Sequence, residues 1–171
     1  MTAALIGGAA WVMTHPTLVI GERLYDKPPN YEELATEVSI PDDLKDLAEY
    51  WAGQYNLSPE LVEAIMYRET RFKTDAVNGS NLGVCQINQR WQQDRMNELG
   101  VNNLCDPSQN IHVCCDILAE KFEEYEDPAA VLAFYRWGNA AARDTLENGV
   151  FYEYAENVLQ IAKKYELEHG K

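Results

Sequence analysis

The chain has 171 residues, 46% hydrophobic and 25% charged, as expected for a globular protein of one domain with a short appendage. Its formal net charge is −14, which argues against nucleic acid as a partner, because phosphate contacts require clustered lysine and arginine. The same charge argues against electrostatic docking on anionic membranes, and it leaves a neutral polymer or a basic partner as candidates.

The N-terminal part of the chain is apolar. Residues 3–20 read AALIGGAAWVMTHPTLVI and contain no Asp, Glu, Lys or Arg, and about 18 apolar residues are the lower limit for crossing a bilayer. We therefore predict a signal sequence or membrane anchor over residues 1–24, which places the protein in the cell envelope, either exported or membrane-anchored. His15 and Pro16 interrupt the run, so a buried hairpin is the alternative. Prolines and polar residues predict a linker over residues 25–40.

Helical periodicity dominates the rest of the chain, and it predicts one domain over residues 41–171. The spacing i, i+3, i+4, i+7 of a helix face is followed by Leu44, Leu47, Ala48, Trp51 and Tyr55. Ser58 is the expected N-cap of the next helix and Pro59 its first residue. No stretch alternates between apolar and polar residues, so the predicted fold class is all-α.

The second half of the domain contains three more predicted helices. The first has an apolar face formed by Ile111, Cys114, Cys115, Leu118, Phe122 and Tyr125. Asp127 and Pro128 begin the second, and Gly138 can end it. The last predicted helix runs from Phe151 to Glu168.

The helix that begins at Pro59 carries a carboxylate on its apolar face. Its positions i, i+3, i+4 and i+7 are Val62, Ile65, Met66 and Glu69, whereas Glu63 belongs to another face. Burial disfavours the charged form of a carboxylate and raises its pKa, so a buried Glu69 can hold a proton and donate it as a general acid. The alternative is that Glu69 turns to solvent or pairs with Arg68 or Arg71.

Four further segments follow Glu69 in a fixed order. The five segments are Glu69-Thr70-Arg71-Phe72, Gly83-Val84-Cys85-Gln86-Ile87, Asp106-Pro107-Ser108-Gln109-Asn110-Ile111, Ala133-Phe134-Tyr135-Arg136-Trp137-Gly138 and Tyr154-Ala155. Together they resemble the motifs of soluble-type lytic transglycosylases, relatives of goose-type lysozyme, over roughly residues 44–165. The resemblance implies a lysozyme-like helical domain.

The chain departs from the family pattern at several positions. Thr70 replaces the usual Ser, Cys85 replaces Met, and Cys114 stands where the family commonly has Gly. Arg136 replaces the Asn that follows the motif tyrosine, and Asn78 stands where the family often has Ser. The changes at Arg136 and Asn78 affect the expected contacts to the sugar, and none of the changes removes the acid.

The resemblance implies that the substrate is the glycan of peptidoglycan. Glu69 is then the single catalytic residue: it protonates the oxygen between MurNAc and GlcNAc, and it next takes the proton of the muramyl 6-hydroxyl to give a 1,6-anhydro end. Ordinary glycosidases need two carboxylates. The expected substrate-binding residues are Asn78, Gln86, Tyr135 and Tyr154. For each tyrosine, core packing with a satisfied hydroxyl is the alternative. No cofactor is implied.

Other functions stay open at this point. A muramidase on the same fold would use water in place of the 6-hydroxyl, and a peptidoglycan-binding module would bind the polymer without turnover. A helical interaction protein without a sugar partner is opposed by the order of the five motifs. The expected partners are glycan strands, with membrane anchoring through residues 3–20. Wall remodelling, phage entry and the assembly of secretion or conjugation machinery would all use such cleavage.

The cysteines and histidines do not predict a metal site. The three histidines show no ligand spacing, and no C-x-x-C motif is present. Four cysteines are compatible with two disulfides in an exported domain. Cys85 with Cys114 and Cys105 with Cys115 is one of three pairings, and the sequence does not choose among them.

Overall fold

The computed structural model describes residues 39–170, which fold into seven helices and a small sheet. The helices are α1 (Asp42–Gln54), α2 (Pro59–Thr70), α3 (Gln93–Glu98), α4 (Pro107–Tyr125), α5 (Pro128–Trp137), α6 (Asn139–Asn148) and α7 (Glu153–Glu168). The strands are β1 (Val77–Asn78), β2 (Asn81–Leu82) and β3 (Ile87–Asn88), antiparallel in the order β1-β2-β3. The predicted all-α class is confirmed, because helices make up most of the described residues and each of the three strands has only two residues.

Helix α2 lies at the centre of the domain, where it packs against α1, α4 and α7. All residues from Glu60 to Met66 are buried. The sequence placed Glu63 on another face than Glu69, and Glu63 is nevertheless buried, because neighbouring helices cover α2 on several sides. Burial alone therefore does not single out one glutamate of α2 as a functional residue.

Most helix ends lie where the sequence predicts them. Ser58 precedes Pro59 as expected, but its hydroxyl donates to Glu60 Oε2 at 2.8 Å and caps no backbone amide. Asp127 caps α5 by accepting from the amide of Ala129 at 2.8 Å. Helix α7 begins at Glu153, two residues later than predicted. Helices α3 and α6 were not predicted.

The predicted apolar face of α4 forms a large part of the core. Five of its six residues are fully buried, and Tyr125 packs against them at the edge. Helix α1 joins α4 through Trp51, whose ring stacks on His112 with centroids 3.8 Å apart. The indole nitrogen of Trp51 also donates to Ser108 Oγ at 3.0 Å. Helix α1 thus contacts α4 through Ser108 and His112, which lie outside the predicted apolar face.

Asn110 connects the third motif to the second. Its side-chain oxygen accepts from the amide of Cys85 at 2.8 Å, and its nitrogen donates to the carbonyls of Leu82 and Leu104 at 2.9 and 2.8 Å. Gly83 lies directly against it, with φ +73°, and a Cβ at Gly83 would stand 2.1 Å from the Leu104 carbonyl oxygen. The loop before α4 is therefore held by a buried amide and a glycine without room for a side chain.

All four cysteines are free thiols in the structure, and none of the disulfide pairings left open by the sequence is present in it. Cys105 is exposed in the loop before α4, whereas Cys115 is buried within that helix. The predicted signal or anchor over residues 1–24 and most of the predicted linker lie outside the described residues. Among residues 39–170, no helix has both the length and the apolar character needed to cross a membrane.

Candidate active site

Glu69 lies in the last turn of α2, and its carboxylate lines a cavity of about 420 Å³. Its side chain is 9% exposed, and the preceding residues of the same face, Val62, Ile65 and Met66, are fully buried. The predicted burial of Glu69 is therefore confirmed, and the alternative of a side chain turned to solvent is wrong. Glu69 thus lies where the buried face of α2 meets the cavity.

Tyr154, on the neighbouring helix α7, binds the carboxylate. Its hydroxyl, on the first turn of α7, donates a hydrogen bond to Glu69 Oε1 at 2.6 Å. Burial and the negative charge of Glu69 raise the pKa of Tyr154 well above its usual value. The hydroxyl therefore keeps its proton at neutral pH and remains a donor to Glu69.

Arg136 approaches the other carboxylate oxygen. Its Nη1 atom lies 4.0 Å from Glu69 Oε2, and its side chain is 47% exposed. The guanidinium carbon lies 5.9 Å from the centre of the Tyr154 ring, and that of Arg68 lies 5.6 Å from the same ring. The sequence suggested Arg68 or Arg71 as an ion partner of Glu69, but Arg136, on α5, lies beside it instead.

The end of α2 is fixed by its own sequence. Arg71 and Phe72 adopt φ values of +53° and +67°, which turn the chain sharply and stop the helix. The Thr70 hydroxyl lies 2.9 Å from the carbonyl oxygen of Val84 and 3.3 Å from that of Met66. The family's Ser would also offer this hydroxyl, so the change to Thr keeps the link between the first and second motifs.

Gln86 lines the cavity from the second motif. Its backbone adopts φ +53°, and its side-chain nitrogen donates to the carbonyls of Gly83 and Ala76 at 3.0 and 3.3 Å. The side-chain oxygen makes no hydrogen bond within residues 39–170. Gln86 therefore offers a fixed acceptor to a ligand.

Tyr135 also lines the cavity, but its hydroxyl is occupied. This group donates to the carbonyl of Cys85 at 2.7 Å and lies 3.4 Å from Cys114 Sγ. Burial, with the nearby Cys114 and Cys85 thiols, raises the pKa of Tyr135. The aromatic ring, and not the hydroxyl, is the part of Tyr135 available to a ligand.

Asn78 is not among the residues that line this cavity. It is exposed on β1, where it pairs across the ladder with Asn81 of β2. Asn81 does line the cavity, and its side-chain oxygen accepts from Asn88 Nδ2 at 2.8 Å. The structure thus brings Glu69, Gln86, Tyr135 and Tyr154 together, and it puts Asn81 where Asn78 was expected.

The cavity is also lined by residues outside the predicted site, among them Trp91, Phe134, Asn88 and Asn139. Trp91 is 83% exposed. Its signal in the sequence is a large aromatic residue that belongs to no helical pattern. Among the described residues that line the cavity, Glu69 is the only carboxylate. Asp106 instead caps α4 by accepting from the amide of Gln109 at 2.9 Å.

Comparisons with known proteins identify the family of the chain. The transglycosylase SLT domain family matches residues 46–157, which include all five motifs. A transglycosylase of Enterobacteria phage PRD1 is 30% identical over 92 residues, which make up 53% of this chain and 33% of that relative. The match thus spans about a third of the length of the curated relative. Since the family match extends over more than half of the chain, the chain belongs to the transglycosylase SLT domain family.

Proposed function

We propose that the chain is a lytic transglycosylase that cleaves the β-1,4 bond between MurNAc and GlcNAc in peptidoglycan. The observation that carries this proposal is the single, largely buried carboxylate of Glu69 at a cavity, held by the Tyr154 hydroxyl. A glycosidase with two catalytic carboxylates holds them about 5 to 9.5 Å apart. Among the described lining residues no second carboxylate is available for that role.

Bond cleavage begins with Glu69 in its protonated form. Its proton moves to the bridging oxygen, the bond from that oxygen to C1 of MurNAc breaks, and GlcNAc leaves with a 4-hydroxyl group. The bonding electrons go to the departing oxygen, and C1 gains oxocarbenium character. The carbonyl oxygen of the 2-acetamido group of MurNAc stabilises this centre from within the substrate.

Ring closure restores the enzyme. The Glu69 carboxylate takes the proton of the muramyl 6-hydroxyl, and the freed oxygen forms a bond with C1. The product carries a 1,6-anhydro end, Glu69 is protonated again, and no water is consumed. Tyr154 keeps its own proton throughout, and its hydrogen bond orients the carboxylate for both transfers.

The remaining cavity residues position the sugar. The free side-chain oxygen of Gln86 suits the N–H of an acetamido group. The exposed ring of Trp91 and the ring of Tyr135 offer apolar faces for the sugar rings. We assign the direct polar contact to Asn81, and we keep Asn78 as an outer contact at the edge of the sheet.

The name of the phage relative suggests a setting for this activity. That protein is a transglycosylase of a bacterial virus, and a virus must open the wall locally. We propose that this chain likewise acts at the cell wall as part of phage machinery or of another envelope-crossing apparatus.

The experiment compares the full-length protein with a Glu69→Gln variant in the digestion of purified peptidoglycan. Gln has nearly the shape of Glu but no acidic proton, so the rate should fall by at least about a hundredfold. Glu49→Gln, at an exposed position on α1, is the matched control and should keep the parent rate. Undiminished digestion by Glu69→Gln would remove Glu69 from the mechanism. Binding without digestion by the parent would indicate a wall-binding module.

A further inference from the structure

Arg136 is a cation at the cavity that the proposed mechanism does not use. Thirteen of the described residues line the cavity, and among these thirteen Arg136 is the only basic residue and Glu69 the only acidic one. The family pattern has an uncharged Asn at this position. This chain therefore has a charged group beside the proposed acid, and the proposed mechanism does not account for it.

The guanidinium of Arg136 has unused hydrogen-bonding capacity. Its nearest acceptor, Glu69 Oε2, lies 4.0 Å from Nη1, which is beyond hydrogen-bond distance. No other described residue accepts a hydrogen bond from it. A guanidinium offers five N–H donors in one plane, and this one is half exposed at the cavity. It can therefore receive a ligand without breaking a hydrogen bond of the protein.

The charge of Arg136 opposes the proposed reaction when nothing neutralises it. The sugar gains positive charge at C1 as the glycosidic bond breaks, and a cation near Glu69 disfavours that change. An anionic group on the substrate, bound to Arg136, would remove the penalty and add a favourable contact. The arrangement is thus consistent with an acidic substrate and poorly suited to a neutral one.

We propose that Arg136 determines specificity by binding a carboxylate carried by the muramyl unit that is cleaved. This inference rests on the proposed function. Arginine pairs with carboxylates through two parallel hydrogen bonds, a geometry that Asn cannot match. The carboxylate has two sources at the same attachment point: the lactyl group of a muramyl unit without a peptide stem, and the acidic residues of the stem itself.

The overall charge of the protein makes this contact more selective. A net charge of −14 repels anionic strands at long range, so binding of an acidic ligand depends on a local cation. Arg68 lies near the same Tyr154 ring, but it is not among the residues that line the cavity. Arg136 is therefore the residue whose removal should abolish the preference.

The test uses two matched pairs of glycan strands. One pair carries peptide stems, and an amidase has removed the stems from the other pair. Within each pair, one sample has free carboxylates (the acid strands). In the other sample all carboxylates have been converted to amides (the amidated strands). In full-length protein, Arg136→Asn should lower kcat/KM by about tenfold or more on acid strands. On amidated strands, where nothing neutralises Arg136, the same change should leave kcat/KM unchanged or raise it. Arg143→Asn, at an exposed position on α6 outside the cavity, should lower neither.

The pair that shows the effect identifies the source of the carboxylate. A loss restricted to stripped acid strands assigns the lactyl group, and a loss restricted to stem-bearing acid strands assigns the stem. Equal losses on acid and amidated strands in both pairs would overturn the inference. Affinity provides a readout independent of turnover: Glu69→Gln should bind acid strands more tightly than Glu69→Gln/Arg136→Asn does, even if the parent releases no anhydro ends. Equal affinities would again overturn it.

Discussion

The Tyr154 hydroxyl donates a 2.6 Å hydrogen bond to Glu69 Oε1, although 85 positions separate the two residues in the chain. This contact joins the first turn of α7 to the last turn of α2. It lies beside the cavity and leaves the second carboxylate oxygen, Oε2, without a hydrogen bond from the described residues. One side of the carboxylate is thus fixed by the protein, and the other remains for a substrate.

Replacement of Tyr154 by Phe should slow catalysis more than it weakens binding. The variant loses one hydrogen bond to a carboxylate, worth about 1.5–3 kcal/mol, and we expect kcat to fall by about tenfold to a hundredfold with KM nearly unchanged. Tyr152→Phe is the matched control, because its hydroxyl bonds to Asp144 Oδ2 at 3.1 Å. Steady-state rates on soluble glycan strands measure both variants. Equal effects at the two positions would contradict the role of Tyr154.

The buried tyrosines should make the fold less stable in alkali. The pKa values of Tyr135 and Tyr154 are raised in the folded state, whereas the pKa of a tyrosine in the unfolded chain is about 10. Their contribution to stability is fully present below that pH and is lost as the pH rises above it. Urea unfolding should show a fall of about 1.4 kcal/mol per pH unit for each such tyrosine. Tyr154→Phe should reduce the slope, and an unchanged slope would contradict the assignment.

Gly83→Ala should destabilise the fold strongly. Its Cβ would stand 2.1 Å from the Leu104 carbonyl oxygen and 2.3 Å from Asn110 Nδ2, at a backbone φ of +73°. We expect a loss of about 4 kcal/mol or more in the free energy of unfolding. Gly79→Ala is the control, since φ is +61° but no atom lies within 4 Å, and it should cost about 1–2 kcal/mol. Similar losses in urea unfolding would contradict the close packing at Gly83.

The thiols should differ sharply in reactivity. Cys105 is exposed, whereas Cys85, Cys114 and Cys115 are buried, and burial raises the pKa values of Cys85 and Cys115. Titration of native protein with a chromogenic disulfide reagent should modify one thiol quickly, and all four after unfolding. Fewer than four thiols in unfolded, unreduced protein would show that a disulfide forms after all.

The sequence predicted those features that depend on spacing along one helix. The burial of Glu69 follows from its position seven residues after Val62, and the apolar face of α4 follows from the same rule. Helix periodicity did not predict the burial of Glu63, because it describes one face of a helix and several neighbouring helices surround α2. It also missed α6, whose buried residues are the small or polar Ala141, Ala142 and Thr145.

The arrangement of the site required contacts between distant segments. Spacing alone could not bring Tyr154 to Glu69, and Tyr154 was expected at the site only from the resemblance to a family. Asn81, and not Asn78, lines the cavity because of the register of β1 and β2, and strands of two residues show no pattern in the sequence that would predict this register. Trp91 was missed because an exposed aromatic residue in a loop has no periodicity.

The most direct test of the central claim is the mass of the fragments that full-length protein releases from purified peptidoglycan, measured beside Glu69→Gln. We expect muramyl ends lighter than reducing ends by the mass of one water, since O6 and not water attacks C1, and no such ends from the variant. Reducing ends from the parent would contradict the transglycosylase reaction and identify a muramidase that uses the same Glu69.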